Sequence, residues 1–334
     1  MKGRVAVRTV DAIPQTFAIN GIFRISRGSK TSAQVIAVSI AESGYIGRGE
    51  CVPYARYGET IESVMDQIRS MTPAIEAGMD LSELQSAMAP GAARNAVDCA
   101  LWDLRAQKTR QSLASVIELG HELQPVLTAF TISLDAPAAM GKAAAVHEHL
   151  PILKLKLGGD GDLERVRAVR AAAPHARLMV DANEAWSIDH LRAFAPEFAA
   201  MGVELIEQPL PADADDFLKS FNSPVPLAAD ESCRTLMSLS KIVGKYEIAN
   251  IKLDKAGGLT EALSLQAAAR ASGLGTMVGC MVATSLSMAP GIILAQRADV
   301  VHLDGPLLLA EDRTPSLRYS GATLYPPEPE VWGG

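Results

Sequence analysis

Lys154, Lys156, Asp181, Glu207, Asp230 and Lys252 each sit in or at the end of a short apolar run. From Lys156 onward they are separated by steps of 25, 26, 23 and 22 residues. One strand, one turn and one helix fit such a step, so a charged group recurs once per βα unit. Three carboxylates gathered at one point raise one another's pKa and do not all stay ionised without a cation. Carboxylate oxygens from three strands, with coordination positions left open, suit Mg2+ bound together with a substrate oxygen. A purely structural ion-pair network is the alternative reading, and a costly one in a buried place. Lys154 and Lys156, side by side near such an ion, are expected to have lowered pKa values, which is what a general base requires. Lys252 comes to the same centre from the other side. A base on each face of one carbon is the requirement for inverting its configuration.

These side chains need strands to position them. Within a strand, alternate residues face opposite ways, so Lys154 and Lys156 point one way while Leu153, Leu155 and Leu157 point the other. Asp181 with Asn183, and Lys252 with Asp254, are expected to pair in the same manner. Apolar runs near 129–133, 152–157, 178–181, 203–206, 226–229, 248–253, 276–279 and 300–303 alternate with helical stretches. This predicts an α/β fold, a (β/α)7β modified TIM barrel over residues 119–312, with its chemistry at the carboxyl ends of the strands. Residues 1–118 read differently, as an α+β capping domain. Strands are expected at 2–10, 33–41 and 45–49, and helices at 60–77, 80–88 and 90–108, with Thr60 to Ser63 as a helix start. Between the first two strands, Arg24, Arg27 and Lys30 read as the bases of a solvated hairpin loop, and Asp98 and Asp103 as ordinary helix acids. The proline-rich tail, 313–334, is expected to pack back on the N-terminal sheet.

The 334 residues carry a formal charge of −7, which argues against nucleic acid or an anionic membrane as the main partner. Cys51, Cys99, Cys233 and Cys280 show no C-x-x-C spacing and read as reduced thiols. The N-terminus lacks an apolar signal-type run, so a cytoplasmic protein is expected. Residues 271–296 carry no charge, yet their glycines, hydroxyls and proline favour a buried strand, turn and helix over a membrane span.

Lys154-x-Lys156, Asp181-x-Asn183, Glu207-Gln208-Pro209, Asp230-Glu231-Ser232 and Lys252-x-Asp254 together resemble the muconate-lactonizing subgroup of the enolase superfamily. The superfamily's lysine or histidine base with Mg2+ is a known pattern. The resemblance implies Mg2+ on Asp181, Glu207 and Asp230, acid/base roles for Lys156 and Lys252, and a substrate-carboxylate contact for Lys154. It also implies a small-molecule substrate and an assembly of identical chains. The subgroup holds cycloisomerases, o-succinylbenzoate synthases, N-succinylamino acid racemases and dipeptide epimerases. Phe23 to Thr31, the 49–59 loop, Gly279-Cys280-Met281 and Leu303-Asp304-Gly305-Pro306 resemble the L-Ala-D/L-Glu dipeptide epimerases, which implies a role in recycling peptidoglycan peptides. On that resemblance Arg24 takes the glutamyl side-chain carboxylate. Asp304 takes the α-ammonium group, and Cys280 and Met281 lie against the substrate. Thr131 and Ser133 bond the peptide portion or are satisfied by backbone. The pattern departs in one place: the epimerases usually carry Asp-x-Asp where this chain has His302-Leu303-Asp304. One carboxylate is thereby lost, which is expected to weaken the hold on the ammonium group. Racemisation of N-acylated amino acids is the nearest competing activity, since it uses the same two lysines.

Overall fold

A computed structural model describes residues 8–333. The cap opens with a long hairpin, β1 (Thr9–Ile25) and β2 (Gly28–Glu42), followed by β3 (Tyr45–Cys51) in antiparallel register. The segment expected to be a loop, 17–30, is therefore mostly strand. Its turn is only Ser26-Arg27, and a bulge between Ala18 and Phe23 absorbs Asn20-Gly21. Most of the strand expected at 2–10 lies outside the described residues. Helices α1 (Ile61–Glu76), α2 (Leu81–Ala87) and α3 (Ala92–Thr109) follow close to their expected bounds. Thr60 and Ser63 form the reciprocal capping pair at the start of α1.

The barrel consists of β4 (Phe130–Ile132), β5 (Ile152–Lys156), β6 (Arg177–Asp181), β7 (Val203–Glu207), β8 (Leu227–Ala229), β9 (Ile248–Ile251), β10 (Gly275–Val278) and β11 (Val300–Val301). All pair in parallel with their sequence neighbours. The Ala129 N–H donates to the Val301 carbonyl (2.9 Å) and joins the first edge to the last. Eight side chains, one per strand segment, plug the interior: Ala129, Ile152, Met179, Leu205, Ala228, Ile248, Met277 and Val300. Outward-facing Leu153, Leu155 and Leu157 belong to the larger core between strands and helices. The uncharged stretch 271–296 becomes β10 and a buried helix, α4 (Ser285–Ala295). No helix among the described residues is long and apolar enough to cross a membrane.

Cap and barrel are bound through α3. Asp98 and Asp103, expected to be ordinary helix acids, are fully buried joints. Asp98 accepts from the Thr260 N–H (3.0 Å) and from Gln85; Asp103 accepts from the Arg48 and Gly333 backbone N–H groups. The Arg94 guanidinium donates to the carbonyls of Ala256 and Gly257 at 2.7 and 2.9 Å. The tail first pairs Thr323–Leu324 with Val126–Leu127, below the barrel. Trp332 then reaches the cap and donates to the Arg48 carbonyl (2.9 Å).

β3 lies on α3 so closely that a Cβ at Gly49 would fall on the backbone carbonyl of Ala96. Backbone cannot swing aside as a side chain can. Gly49→Ala is expected to destabilise the protein by about 1–3 kcal/mol or more, read as a fall in the denaturation midpoint. A midpoint equal to wild type would show that the cap does not need this contact.

Candidate active site

The site is the continuation of the interior plug. Two residues beyond each plugging side chain, on the same face of the strand, stand Thr131, Lys154, Asp181, Glu207, Asp230, Asn250, Gly279 and His302. Two further on come Ser133, Lys156, Asn183, Pro209, Ser232, Lys252, Met281 and Asp304. The inward face thus changes from apolar to charged within one residue pair, at the carboxyl end of the barrel.

Asp181, Glu207 and Asp230 are buried, and one carboxylate oxygen from each lies within 4.8 Å of the others. Lysines surround them. The Lys156 ammonium is 2.6 Å from Asp181, and Lys154 is 2.6 Å from Glu207 and 3.4 Å from Asp181. On the far side Lys252 donates to Asp230 at 2.7 Å. Asn250 gives its amide to Glu207 (2.9 Å). Burial alone pushes Asp181 and Asp230 up, but the lysines outweigh it and hold both below the usual carboxylate range. Glu207 stays raised, by burial and by the charge on Asp181. Three buried carboxylate oxygens converging from three strands fit a hard divalent cation, which is the test the donor set has to pass.

The lysines depart from expectation. Burial lowers Lys154 and Lys252, yet the surrounding carboxylates win and raise both. Lys255, which sequence reasoning passed over, is buried and donates to the Asp230 carboxylate at 2.7 Å and to the Cys233 carbonyl at 2.7 Å. It stands three residues past Lys252, one helical turn along, and that spacing was its only signal. Asp254 does not join the centre. The chain turns into a short helix after Ile251, so Asp254 accepts from the Val52 N–H (3.0 Å) and the Asn95 amide (2.8 Å) of the cap. This joint holds the turn that carries Lys252. Gly279 leaves room beside it: a Cβ there would press on Asn250 and the Lys252 stem.

Above the carboxylates lies a cavity of about 470 Å³. Thr131, Lys156, Asn183, Lys252, Cys280, Met281, His302 and Asp304 reach its wall, as do Arg27 and Lys30 of the hairpin. Three expected contacts do not. Arg24 turns away to Asp135 (3.1 Å) and the Leu134 carbonyl. Ser133 accepts from the Arg24 N–H (3.4 Å), and Lys154 is fully buried beneath the wall. Arg27 is no solvated loop base. It donates to the Asn183 carbonyl (2.7 Å), Tyr54 (2.8 Å) and Glu231 (2.6 Å), tying the hairpin tip across the barrel mouth. Asn183, Glu184 and Gln208 hold positive φ angles of 46°, 67° and 36°, so backbone strain collects at the ends of β6 and β7 beside the carboxylates.

Comparison with known proteins agrees with this arrangement. Residues 7–118 match the family model for the mandelate racemase / muconate lactonizing enzyme N-terminal domain. Residues 138–329 match the enolase C-terminal domain-like model. The L-Ala-D/L-Glu epimerase of Escherichia coli K12 is 44% identical over 96% of this chain and all of that protein. The N-acetyl-D-glutamate racemase of a Pseudoalteromonas species is 43% identical over 90% of this chain and 95% of that protein. A solved structure of an Agrobacterium tumefaciens enolase family member with homology to dipeptide epimerases, holding sodium and L-Ala-L-Glu, superimposes with a TM-score of 0.96. It is 48% identical and covers 98% of this chain and all of that one. With both domain models matched and these relatives aligned almost end to end, the chain belongs to the mandelate racemase / muconate lactonizing enzyme family of the enolase superfamily.

Proposed function

We propose that this protein is a dipeptide epimerase of the L-Ala-D/L-Glu type, moving a proton between the two faces of the α-carbon of the C-terminal residue. The observation that carries the reading is the pair of lysines. Lys156 and Lys252 line one cavity, yet each is anchored to a different carboxylate of the same cluster, Asp181 on one side and Asp230 on the other. One ammonium-bearing group per face is what a two-base inversion needs. Asp181, Glu207 and Asp230 would hold Mg2+, which when bound would supply Lewis-acid stabilisation of the charge that builds on the substrate carboxylate.

The chain's own groups do the rest. Lys156 takes the α-proton from one epimer and Lys252 returns one to the opposite face; the roles exchange for the other epimer. Lys252 acts as a base only when Asp230 is otherwise neutralised, because the surrounding carboxylates favour its ammonium form. Asp304 faces the amino end of the dipeptide. Lys30 and Arg27, rather than Arg24, stand where a glutamyl side-chain carboxylate meets the hairpin.

Incubation of a free-dipeptide library with Mg2+ in D2O is expected to place α-deuterium in L-Ala-L-Glu, read by mass. Absence of exchange in every free dipeptide overturns the assignment. Lys156→Ala and Lys252→Ala should each abolish epimerisation while leaving exchange from one epimer only; full activity in either rules out the two-base scheme. The metal has a separate readout. Mg2+ at a hundred times its Kd should stabilise the folded protein by about 2.7 kcal/mol, and Asp230→Asn should lose that stabilisation. An equal shift in the variant means the ion binds elsewhere.

A further inference from the structure

Lys156 and Lys252 line the same cavity, but different parts of the molecule hold their backbones. Lys156 is the last residue of β5 and pairs in register with Asp181 of β6. The Leu157 N–H donates to the Asp181 carbonyl at 2.9 Å, so the ladder of the sheet runs past Lys156. Among the described residues no hydrogen bond joins residues 154–159 to the cap. Lys252 lies beyond its strand. β9 ends at Ile251, whose carbonyl accepts the Gly279 N–H at 3.0 Å. From there the chain forms a single helical turn, Leu253–Ala256, closed by the Lys255 and Ala256 N–H groups on the Lys252 carbonyl. One isolated turn has no stability of its own, so its neighbours decide where it sits.

Those neighbours lie on two sides. On the barrel side Lys255 donates to the Asp230 carboxylate and the Cys233 carbonyl, both at 2.7 Å, and to the Asn250 carbonyl at 3.0 Å. On the other side the bonds come from the cap. Asp254 Oδ1 accepts the Val52 N–H at 3.0 Å and the Asn95 amide at 2.8 Å, and Arg94 donates to the Ala256 and Gly257 carbonyls. Arg94 and Asn95 are adjacent on α3, which lies against β3 without slack: a Cβ at Gly47 would fall on the Ala100 carbonyl. The cap therefore meets the turn as one piece. Both bonds to Asp254 share a single oxygen, so they ask for an acceptor and not for a charge. A carboxamide oxygen offers the same two lone pairs. Burial, with smaller pushes from Glu59 and Glu50, takes the Asp254 carboxyl up to about 7 against both bonds, so a neutral side chain suits this place.

Given the two-base reading above, we propose that Asn95 and Asp254 are positioning residues for Lys252 alone, so that the cap sets one of the two proton transfers and the sheet of the barrel sets the other. Neither residue lines the cavity. They fix the turn from which the Lys252 side chain reaches it. Loss of their contact displaces the Lys252 nitrogen and slows proton removal and return on its face, while Lys156 keeps its place. Lys156 then takes its proton, exchanges it with solvent and returns a solvent-derived one to the same face, without inversion. A misplacement of about 1 Å costs on the order of a hundredfold. With Lys255 still holding the barrel side, about tenfold is expected here.

The test measures initial α-deuterium exchange from L-Ala-L-Glu and from L-Ala-D-Glu separately, with Mg2+ in D2O, for wild type, Asn95→Ala, Asp254→Ala and Asp254→Asn. Lys156→Ala and Lys252→Ala serve as references that show which epimer each lysine deprotonates. Asn95→Ala and Asp254→Ala should lower exchange from the Lys252 epimer by about tenfold relative to the other epimer. In the other epimer the share of exchange without inversion should rise. Asp254→Asn, which keeps the shared acceptor, should stay near the wild-type ratio. Equal loss from both epimers in Asn95→Ala, or an unmoved ratio, reduces the contact to a structural joint and overturns the proposal while the two-base reading stands. Asp254→Asn behaving as Asp254→Ala overturns it as well. Lysine references that show no epimer preference remove the two-base reading and this one together. Asn95→Ala, which deletes one bond only, decides the point even where Asp254→Ala fails to fold.

Discussion

Mutual repulsion among Asp181, Glu207 and Asp230 is the constraint around which this protein is built. Three carboxylate oxygens within 4.8 Å, all buried, are tolerable only if positive charge surrounds them. Lys154, Lys156, Lys252 and Lys255 meet that need from within the chain, and each points at a carboxylate from a different direction. The same repulsion makes the centre a place for a divalent cation. On the proposed reading, two of these lysines, Lys156 and Lys252, are also the groups that move protons.

Two further elements follow from this centre. The cap reaches down through Asn95 and Val52 to Asp254, and through Arg94 to the Ala256 and Gly257 carbonyls, so the turn bearing Lys252 is set by α3 as much as by its own strand. The hairpin reaches across the mouth through Arg27, whose partner Glu231 is next in sequence to Asp230. Acidic and basic groups outside the cluster extend its ion pairing to the walls of the cavity. On the proposed reading, substrate recognition falls to the cap and the last strand, and the chemistry to β5 through β9.

Much of this was legible from period-two alternation. An interior plug of one apolar residue per strand, with a charged residue two positions later on the same face, is a local pattern, and it placed Asp181, Glu207, Asp230 and both cavity lysines correctly on the inward face. The misreadings share a physical origin in what lies beyond the strand ends. Asp254 obeys the alternation only on paper, because the chain has already turned into a helix. Lys154 and Lys156 look equivalent in sequence, but one layer of depth separates a buried ammonium from one on the cavity wall. Arg24 and Arg27 differ in fate because a bulge and a two-residue turn decide which one faces the barrel, and bulges leave no reliable trace in a single sequence. Asp98 and Asp103 were read as ordinary helix acids and Lys255 was passed over for another reason: their partners include groups of segments distant in sequence, such as the Thr260, Arg48 and Gly333 N–H groups and the Asp230 carboxylate, invisible until the chain is folded.

The central claim is geometric, that one ion on three strand-end carboxylates sits between two lysines serving opposite faces of one carbon. The most direct measurement is a crystal structure of the protein with Mn2+ in place of Mg2+ and a bound L-Ala-L-Glu, with the ion located by its anomalous scattering. The account predicts the ion on Asp181, Glu207 and Asp230, with the Lys156 and Lys252 nitrogens on opposite sides of the glutamyl α-carbon. An ion held elsewhere, or both lysines on the same face of that carbon, would contradict it.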